Sequence, residues 1–502
     1  MTLRSPRFQT LARRLGVVLA LATGGGAYAQ PLTPDEALRR AAARSPELQA
    51  ALSDVVAARA GVQIEDRSRD AVLTANAQGA YSESFSDTSE GATLNSTERF
   101  AADVSVRTTT SIGTQLTAGF STSARWQTIN RDPTTTAGVT LGPTIAAEVS
   151  VDVVQPLLRG GGESAVLSSL RVARSQAEQA ELEQNEATSR LALDVLSAYW
   201  DLWVAEQSLT VERSGLELML RQKGDMDTRV KLGTVAEIES LRLASEAASR
   251  RQRVTDAEAT LADRQMALAR LTGIPYAESS SLSTAAAPAG QPTVVGAEAT
   301  ITLALRQSPE LARLAAGIEQ SKERVRAARN AAETRLDAWA NLAAGGLWTE
   351  GPPSGLELPG GRPAISALVG LTLELPLGDA SADARLDQAR ANLRSATLRQ
   401  DARIETLSLE VARLHRSLQA AKDAVRTAAE TAEIAKRLAE HEEQKLKLGT
   451  SLIIDLVSAQ QAGREAELTR LRAQAEAERL ALQLDHLTGT LFSRIAASEN
   501  RP

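Results

Sequence analysis

The apolar residues of this chain follow a helical period over two very long stretches. Residues 163–231 and 380–447 contain no proline, and each could form a helix of about 100 Å at 1.5 Å per residue. In the second stretch the apolar positions alternate steps of three and four, which predicts a coiled-coil seam. The seam consists of Ile404, Leu407, Val411, Leu414, Leu418, Ala421, Val425, Ala428, Ala432 and Ala435. We therefore expect long helices that pack side by side.

A period of two replaces the helical period in shorter segments. Phe100 and Val104 alternate with Asp103, which predicts a strand with one polar face. Similar alternation occurs near residues 73–81, 116–126 and 145–153, and again near residues 336–342 and 367–375. The sequence therefore predicts four strands within about residues 71–154 and two within about residues 336–375, each of about 10 residues.

One local pattern closes both long helical stretches. Leu232-Gly233-Thr234 recurs as Leu448-Gly449-Thr450, and Leu271-Thr272-Gly273 recurs as Leu487-Thr488-Gly489 at the same offset. Similarity at a fixed offset indicates a duplication. We interpret residues 30–274 and 300–490 as two structural repeats, with a linker at 275–299 and a C-terminal tail at 491–502.

Each repeat is predicted to contain an entering helix, strands and a long helical hairpin. The first entering helix begins at Thr33-Pro34 and extends to about Arg67, and the second occupies about residues 300–335. The hairpins occupy residues 163–272 and 380–488. The economical arrangement stacks an entering helix and a return helix end to end beside each long helix.

The first repeat carries extra residues among its strands. The interval from Ser45 to Pro156 exceeds its counterpart from Ser308 to Pro376 by 43 residues, which fits one inserted hairpin at roughly 99–126. An even insertion preserves the strand direction. The hairpin could therefore enlarge the sheet or project beyond it.

Composition limits the class of protein. Residues 1–29 combine four arginines, an apolar run and Ala27-Tyr28-Ala29, which predicts an export signal that is removed. Without it the chain has 52 basic and 62 acidic residues, a net charge of about −10, which argues against a nucleic-acid partner. There is no cysteine, and no later segment approaches the roughly 18 apolar residues of a spanning helix. If the chain spans a membrane, its strands do so.

Six strands are too few to close a membrane barrel, which begins at about eight strands. Open strand edges are not tolerated in lipid. We therefore predict a mainly α fold with a membrane β-barrel portion that several internally duplicated chains share, continued by an α-helical coiled-coil barrel. Seven aromatic residues in or beside the strands are expected to form interfacial girdles: Tyr81, Phe85, Phe100, Phe120, Trp126, Trp339 and Trp348. A soluble β-sheet is the alternative.

The order and spacing of these features resemble the TolC family of outer-membrane efflux proteins. The residues that carry the resemblance are the doubled halves, QPLLRGGG at 155–162, KLGT at 447–450 and DLVSAQ at 455–460. The resemblance implies a homotrimer in the outer membrane of a Gram-negative bacterium, with a periplasmic adaptor (membrane fusion protein) and an inner-membrane pump. It implies a passive exit duct of a tripartite efflux or type I secretion system, whose cargo and pump class the sequence leaves open. The simplest family pattern has four strands per chain, and the inserted hairpin departs from it.

The resemblance assigns functions to the turns and to two acids beside them. Leu232, Gly233 and Thr234, with their counterparts Leu448, Gly449 and Thr450, would be the helical tips that dock the adaptor. The structural alternative is a helix C-cap, for which glycine supplies the left-handed conformation.

Asp455 occupies a position where the family places acidic constriction residues, and Glu239 is its equivalent in the first repeat. The alternative for Asp455 is an acid that stabilises the start of a helix. Ser451 and Ser458 replace the arginine and the second acid that the family pattern leads us to expect, so the gate contacts are predicted to differ.

An enzyme and a soluble scaffold are the competing functions. An enzyme is disfavoured because His415, His441 and His486 are solitary and no catalytic constellation is visible, so we expect no catalytic, cofactor or metal site. A soluble periplasmic coiled-coil scaffold would explain the heptads but not the amphipathic strands. Tyr199, Trp200 and Trp203 are expected to pack in the core against the linker.

Overall fold

The computed structural model describes residues 31–88, 91–130, 138–288, 296–348, 364–375, 380–448 and 450–491. The predicted export signal lies outside the described residues, as do Gly449 and all of the predicted tail except Leu491.

The first half of the chain contains helices on both sides of four strands. Its elements are α1 (Pro34–Arg44), α2 (Pro46–Arg67), β1 (Val72–Thr88), β2 (Gly91–Thr109), β3 (Gln115–Asn130), β4 (Val139–Pro156), α3 (Glu163–Val166), α4 (Ser168–Lys231) and α5 (Glu237–Thr272). The remaining elements are α6 (Tyr276–Ser279), α7 (Ala297–Gln307), α8 (Pro309–Ala331), β5 (Arg335–Trp348), β6 (Ala364–Glu374), α9 (Ala380–Lys447) and α10 (Ile453–Leu487). The predicted four and two strands, the two long helices and the two return helices are confirmed.

Both entering helices are interrupted, contrary to the prediction of continuous helices. The break falls at Ser45 in the first and at Ser308 in the second, and each serine precedes a proline at the start of the next helix. Proline disfavours a helical conformation in the residue before it and has no N–H to continue the ladder. At the first break the Ser45 hydroxyl accepts a hydrogen bond from the Leu48 amide at 3.3 Å, which caps α2.

The six strands form one antiparallel sheet in the order β1-β2-β3-β4-β5-β6. The shortest strand, β6, has 11 residues and the longest, β2, has 19 residues, so the strands are longer than predicted. The inserted hairpin is formed by β2 and β3, which pair with β1 on one side and with β4 on the other. The hairpin therefore enlarges the sheet and does not project from it.

The register separates the sheet into an apolar face and a polar face. Phe100, Val104 and Phe120 lie on the apolar face, where Val104 and Phe120 are direct partners. On the polar face the Asn76 amide donates to the Asp103 carboxylate at 2.9 Å, and the Asn341 amide donates to Asp152 at 2.5 Å. The predicted alternation is therefore confirmed.

Trp339 lies on the polar face, whereas the aromatic girdles to which it was assigned flank the apolar band of a barrel. It is two residues from Asn341 on β5 and pairs with Gly370 of β6. Successive residues of a strand point to opposite faces, so residues two apart share a face. The side chain of Trp348, another predicted girdle residue, lies outside the described part of the chain.

The described chain divides into two compact units, each of which takes residues from both repeats. One contains the described residues within 31–43, 194–288 and 421–479, and the other contains those within 44–193, 296–420 and 480–491. In the second unit the middle of the predicted seam, Leu407, Val411 and Leu418, is buried against α7, α8 and α10. An entering helix and a return helix thus cover the same long helix there, as predicted.

Among the described residues, none of the helices combines the length and the apolar character needed to cross a membrane.

Candidate functional site

The first duplicated turn ends α4 with two backbone hydrogen bonds, one nested inside the other, in the pattern of a Schellman motif. The Gly233 amide donates to the Val230 carbonyl at 2.9 Å, and the Thr234 amide donates to the Arg229 carbonyl at 3.0 Å. Gly233 has φ +76°, a left-handed conformation that glycine adopts at least cost. The Thr234 hydroxyl also donates to the Arg229 carbonyl, at 2.9 Å. The reversal is thus built into the chain and needs no partner.

The second turn repeats the hydrogen bonds of Thr234 at Thr450, whereas Gly449 lies outside the described residues. The Thr450 amide donates to the Lys445 carbonyl at 3.0 Å, and the Thr450 hydroxyl donates to the same carbonyl at 3.1 Å. These two bonds are the equivalents, in the second repeat, of those between Thr234 and Arg229. The duplication therefore extends to the hydrogen bonds that shape the turn.

Both turns expose leucine side chains. Leu232 is 73% exposed and Leu448 is 79% exposed, although each is anchored by a helical backbone hydrogen bond. Other large apolar side chains are exposed on the return segments: Ile238, Leu241, Leu452 and Ile454. A group of exposed apolar side chains on rigid elements is typical of a surface that binds another protein.

Asp455 lies in the first turn of α10, where its carboxylate accepts a hydrogen bond from the Leu452 amide at 3.4 Å. This contact satisfies an amide that the helix start leaves free, as in a capping box. The Asp455 side chain is exposed, and the Ser458 hydroxyl donates to the Asp455 backbone carbonyl at 2.9 Å. The helix-stabilising role is thus present in the structure, and it leaves the carboxylate open to solvent.

Glu239 has a different environment from Asp455. It lies in the first turn of α5, and its carboxylate forms an ion pair with Arg242 at 3.2 Å. Its side chain is about one quarter exposed. The two candidate constriction acids therefore differ, because Glu239 has a cationic neighbour on its own helix.

Ser451 has a partner that the sequence did not indicate. Its hydroxyl donates to the Glu442 carboxylate at 2.7 Å, and Lys445 contacts the other oxygen of the same carboxylate at 2.7 Å. The pKa of Glu442 is lowered mainly by the hydrogen bond from Lys445 and to a smaller extent by the hydrogen bond from Ser451. Ser451 therefore links the return segment to α9 across the second turn. The three-residue spacing of Glu442 and Lys445 is the part of this network that the sequence could have indicated.

The first turn has a comparable but differently placed link. The Ser240 hydroxyl donates to the Asp227 carboxylate, which also pairs with Lys223 at 2.6 Å. The Lys223 hydrogen bond, with that from Ser240, lowers the pKa of Asp227. The equivalent of Ser240 in the second repeat is Leu456, so this contact is not duplicated. Each hairpin thus has a contact among a serine, an acid and a lysine, but these residues occupy non-equivalent positions in the two repeats.

Tyr199, Trp200 and Trp203 are buried, as predicted. The Tyr199 hydroxyl donates to the Leu32 carbonyl at 2.9 Å and accepts from the amides of Ala285 and Ala286 at 3.1 Å each. The phenol thus binds the linker to α4, which confirms the predicted contact with the linker for Tyr199.

Residues 300–490 match the family model that is described as outer membrane efflux protein. A comparison with curated proteins returns no match. The sequence similarity to this family therefore lies in the second repeat.

The fold resembles that of solved outer-membrane channels over most of the chain. The CmeC outer membrane channel of Campylobacter jejuni superposes with a TM-score of 0.66 at 13% identity, over 93% of this chain and 89% of that chain. For the outer membrane protein VceC of Vibrio cholerae the TM-score is 0.64 at 15% identity, over 91% and 96%. For the open state of the MtrE outer membrane channel of Neisseria gonorrhoeae it is 0.61 at 17% identity, over 91% and 89%. At identities this low, the structural similarity establishes the fold alone.

The chain thus has the fold of an outer-membrane efflux channel, in which long helices are combined with a β domain. The resemblance to the TolC family is confirmed by the family match of the second repeat and by the fold of the chain. The predicted class of protein is therefore confirmed, and the alternative of a soluble periplasmic scaffold is not supported. The matching family consists of efflux proteins and is not an enzyme family.

Proposed function

We propose that three copies of this chain form the outer-membrane duct of a tripartite efflux or type I secretion system. Each copy supplies six strands to a shared barrel in the outer membrane and two helical hairpins to a periplasmic tunnel. A periplasmic adaptor binds the turns of the hairpins, and an inner-membrane pump supplies the cargo. The duct itself is passive.

The sheet supports the membrane part of this proposal. Within the described chain the outer edges of β1 and β6 have no strand partner, and a second copy can supply one. On β3 the apolar face extends from Leu116 to Trp126, about 33 Å along the strand at roughly 3.3 Å per residue. At a tilt of about 40° this corresponds to a height of about 25 Å, the height of the apolar band of membrane barrels.

The turns support the docking part. Leu232 and Leu448 are exposed on turns that are rigid through their own hydrogen bonds, so they can enter apolar grooves of an adaptor without an ordering cost. Gly449→Val is expected to weaken adaptor binding while the trimer remains in the membrane. Leu448→Glu should have the same effect without altering the turn. Normal adaptor cross-linking of both variants would contradict the docking role.

The constriction part rests on Asp455, whose carboxylate is open to solvent beside the second turn. Three copies would form a ring of carboxylates that favours cations at the mouth. Asp455→Ala is expected to reduce the cation preference measured in planar bilayers, and Ser458→Ala is the neutral control. An unchanged ion selectivity in Asp455→Ala would leave only the helix-capping role. Glu239 is expected to contribute less, because Arg242 partly neutralises it.

Membrane fractionation tests the proposed function as a whole. A heat-modifiable oligomer in the outer membrane is the expected result, and a soluble periplasmic monomer would contradict the proposal. Cross-linking in intact cells, followed by identification of the adaptor and pump, would define the class of cargo.

A further inference from the structure

Two arginines lie side by side on the polar face of the sheet. Arg99 of β2 and Arg125 of β3 are direct partners in the register, and both side chains are exposed. Directly opposed residues share a face, with Cβ atoms about 4.5–5.5 Å apart. Both arginines belong to the hairpin that distinguishes the first repeat from the second.

The face of this pair follows from its neighbours. Arg99 is four residues from Asp103, whose hydrogen bond with Asn76 lies on the polar face. Glu98 precedes Arg99 and therefore points to the other face, where Tyr81 and Trp126 are its direct partners. The nearest acid in sequence thus cannot neutralise the pair.

No described residue compensates the two charges. Within the described part of the chain, neither guanidinium has an ion pair or a side-chain hydrogen bond. Asp103 lies about 13 Å away along the strand, at roughly 3.3 Å per residue, and it already accepts from Asn76. That separation exceeds the screening length of about 8 Å at physiological ionic strength. Like charges that face each other across two strands are destabilising, so the arginine pair lowers the stability of the sheet when no anion is bound to it.

The pair also has a defined height in the sheet. Arg125 adjoins Trp126, which ends the apolar face of β3 on the side away from the helices. Aromatic residues mark the edges of the apolar band in membrane barrels. In the proposed duct the arginines therefore lie at the outer end of the membrane-spanning part, on the face toward the lumen.

We propose that Arg99 and Arg125 form a binding site for anionic groups, the carboxylate or phosphate groups of solutes that leave through the duct. This inference rests on the proposed function. Paired guanidinium groups bind such anions through bidentate, charge-assisted hydrogen bonds. Three copies place six arginines around the lumen, and rings of arginine favour anions in pores. The inserted hairpin thus gives the outer mouth a preference for anions, opposite in sign to a carboxylate ring at the periplasmic mouth.

The test is electrical recording of the purified full-length protein in planar bilayers. Reversal potentials in a potassium chloride gradient give the chloride-to-potassium permeability ratio, and added inorganic pyrophosphate probes binding of a polyvalent anion. The double variant Arg99→Gln/Arg125→Gln is expected to lower the permeability ratio about threefold and to abolish the effect of pyrophosphate on the current. The variant Arg99→Lys/Arg125→Lys keeps the charges and should retain the permeability ratio.

A matched control is Arg107→Gln, which removes a charge from the same strand and the same face. Arg107 is opposite the uncharged Thr117 and lies at the other end of the strand, so it belongs to no arginine pair and the permeability ratio should change little. Wild-type selectivity and pyrophosphate response in the double glutamine variant would overturn the inference and leave the proposed function intact. A wild-type protein without any conductance would contradict the proposed function itself. If the double glutamine variant fails to insert, Arg125→Gln alone and the lysine variant decide the same question.

Discussion

The indole ring of Trp339 on β5 lies over Gly370 of β6, its direct partner in the sheet. A Cβ atom at residue 370 would come within 2.6 Å of the ring carbon Cζ2. Glycine at this position therefore makes room for a large aromatic side chain on the polar face, near the end of the sheet that adjoins the helices.

Gly370→Ala is expected to destabilise the sheet by about 1–3 kcal/mol, because the indole must leave its position or the strands must separate. Gly79→Ala on β1 is the matched control, since a Cβ atom there meets nothing within 4 Å. Thermal unfolding followed by tryptophan fluorescence compares the two variants. Equal unfolding temperatures would show that the close contact has no energetic weight.

Gly233 and Gly224 should respond in opposite directions to the same substitution. Gly233→Ala forces a left-handed conformation on alanine and is expected to cost roughly 1–2 kcal/mol in the turn. Gly224 lies inside α4 with open space around it, so Gly224→Ala should stabilise the helix by up to about 1 kcal/mol.

Hydrogen–deuterium exchange of residues 224–236 measures both glycine effects. Faster exchange in Gly233→Ala and slower exchange in Gly224→Ala is the expected pair of results. A uniform response of the two variants would mean that the turn is held by something other than its backbone conformation.

A buried arginine makes one ion pair on α5 important for stability. Arg250 is 0% exposed, and its guanidinium lies 2.9 Å from the Glu246 carboxylate. Burial lowers the pKa of Arg250, and burial together with the charge of Arg250 lowers the pKa of the neighbouring Arg464 to about 10. Two cations thus share a poorly solvated region, so each carboxylate near them contributes to the stability of the fold.

Glu246→Ala is therefore expected to destabilise the fold by about 2–3 kcal/mol, since it leaves a buried charge without its partner. Glu217→Ala removes an exposed acid that pairs with Arg221 at 3.6 Å, and it should cost less than about 1 kcal/mol. Adding Arg250→Met to Glu246→Ala should recover much of the loss. Thermal unfolding of these variants decides the point, and a loss no larger than that of Glu217→Ala would refute it.

The second turn should loosen only in acid. The pKa of Glu442 is lowered by the hydrogen bond from Lys445 and then by that from Ser451. A carboxylate with a lowered pKa contributes stability that is complete above its ordinary value of about 4.3 and is lost as the pH falls through the lowered value. We expect the contacts around Ser451 to persist from neutral pH down to about pH 5 and to weaken below about pH 4.

Hydrogen exchange of residues 442–456, corrected for the intrinsic effect of pH on exchange, measures this transition. Glu442→Gln should remove most of the acid response, while Glu443→Gln keeps it. Loosening that begins near neutral pH would point to a histidine and would contradict the assignment to Glu442.

The amino-acid sequence determined the elements and their repetition. The proline-free stretches predicted two long helices, the second with a seam in steps of three and four, and the alternation around Val104 predicted a strand with two unlike faces. The Leu-Gly-Thr and Leu-Thr-Gly patterns recur at the same offset, which determined that one unit occurs twice. These features are local, because they depend on the period of a helix or a strand and on the conformational freedom of glycine.

Tertiary structure decided which residues meet. The hydrogen bond between Ser451 and Glu442, the burial of Arg250 and the pairing of Trp339 with Gly370 depend on how separate elements pack and on the register of the strands. The same register opposes Arg99 to Arg125 and places the inserted hairpin inside the sheet, a question that the sequence left open. A shift of one residue in the register would move the side chains of a strand to the other face, and a period of two along each strand carries no information about its partner.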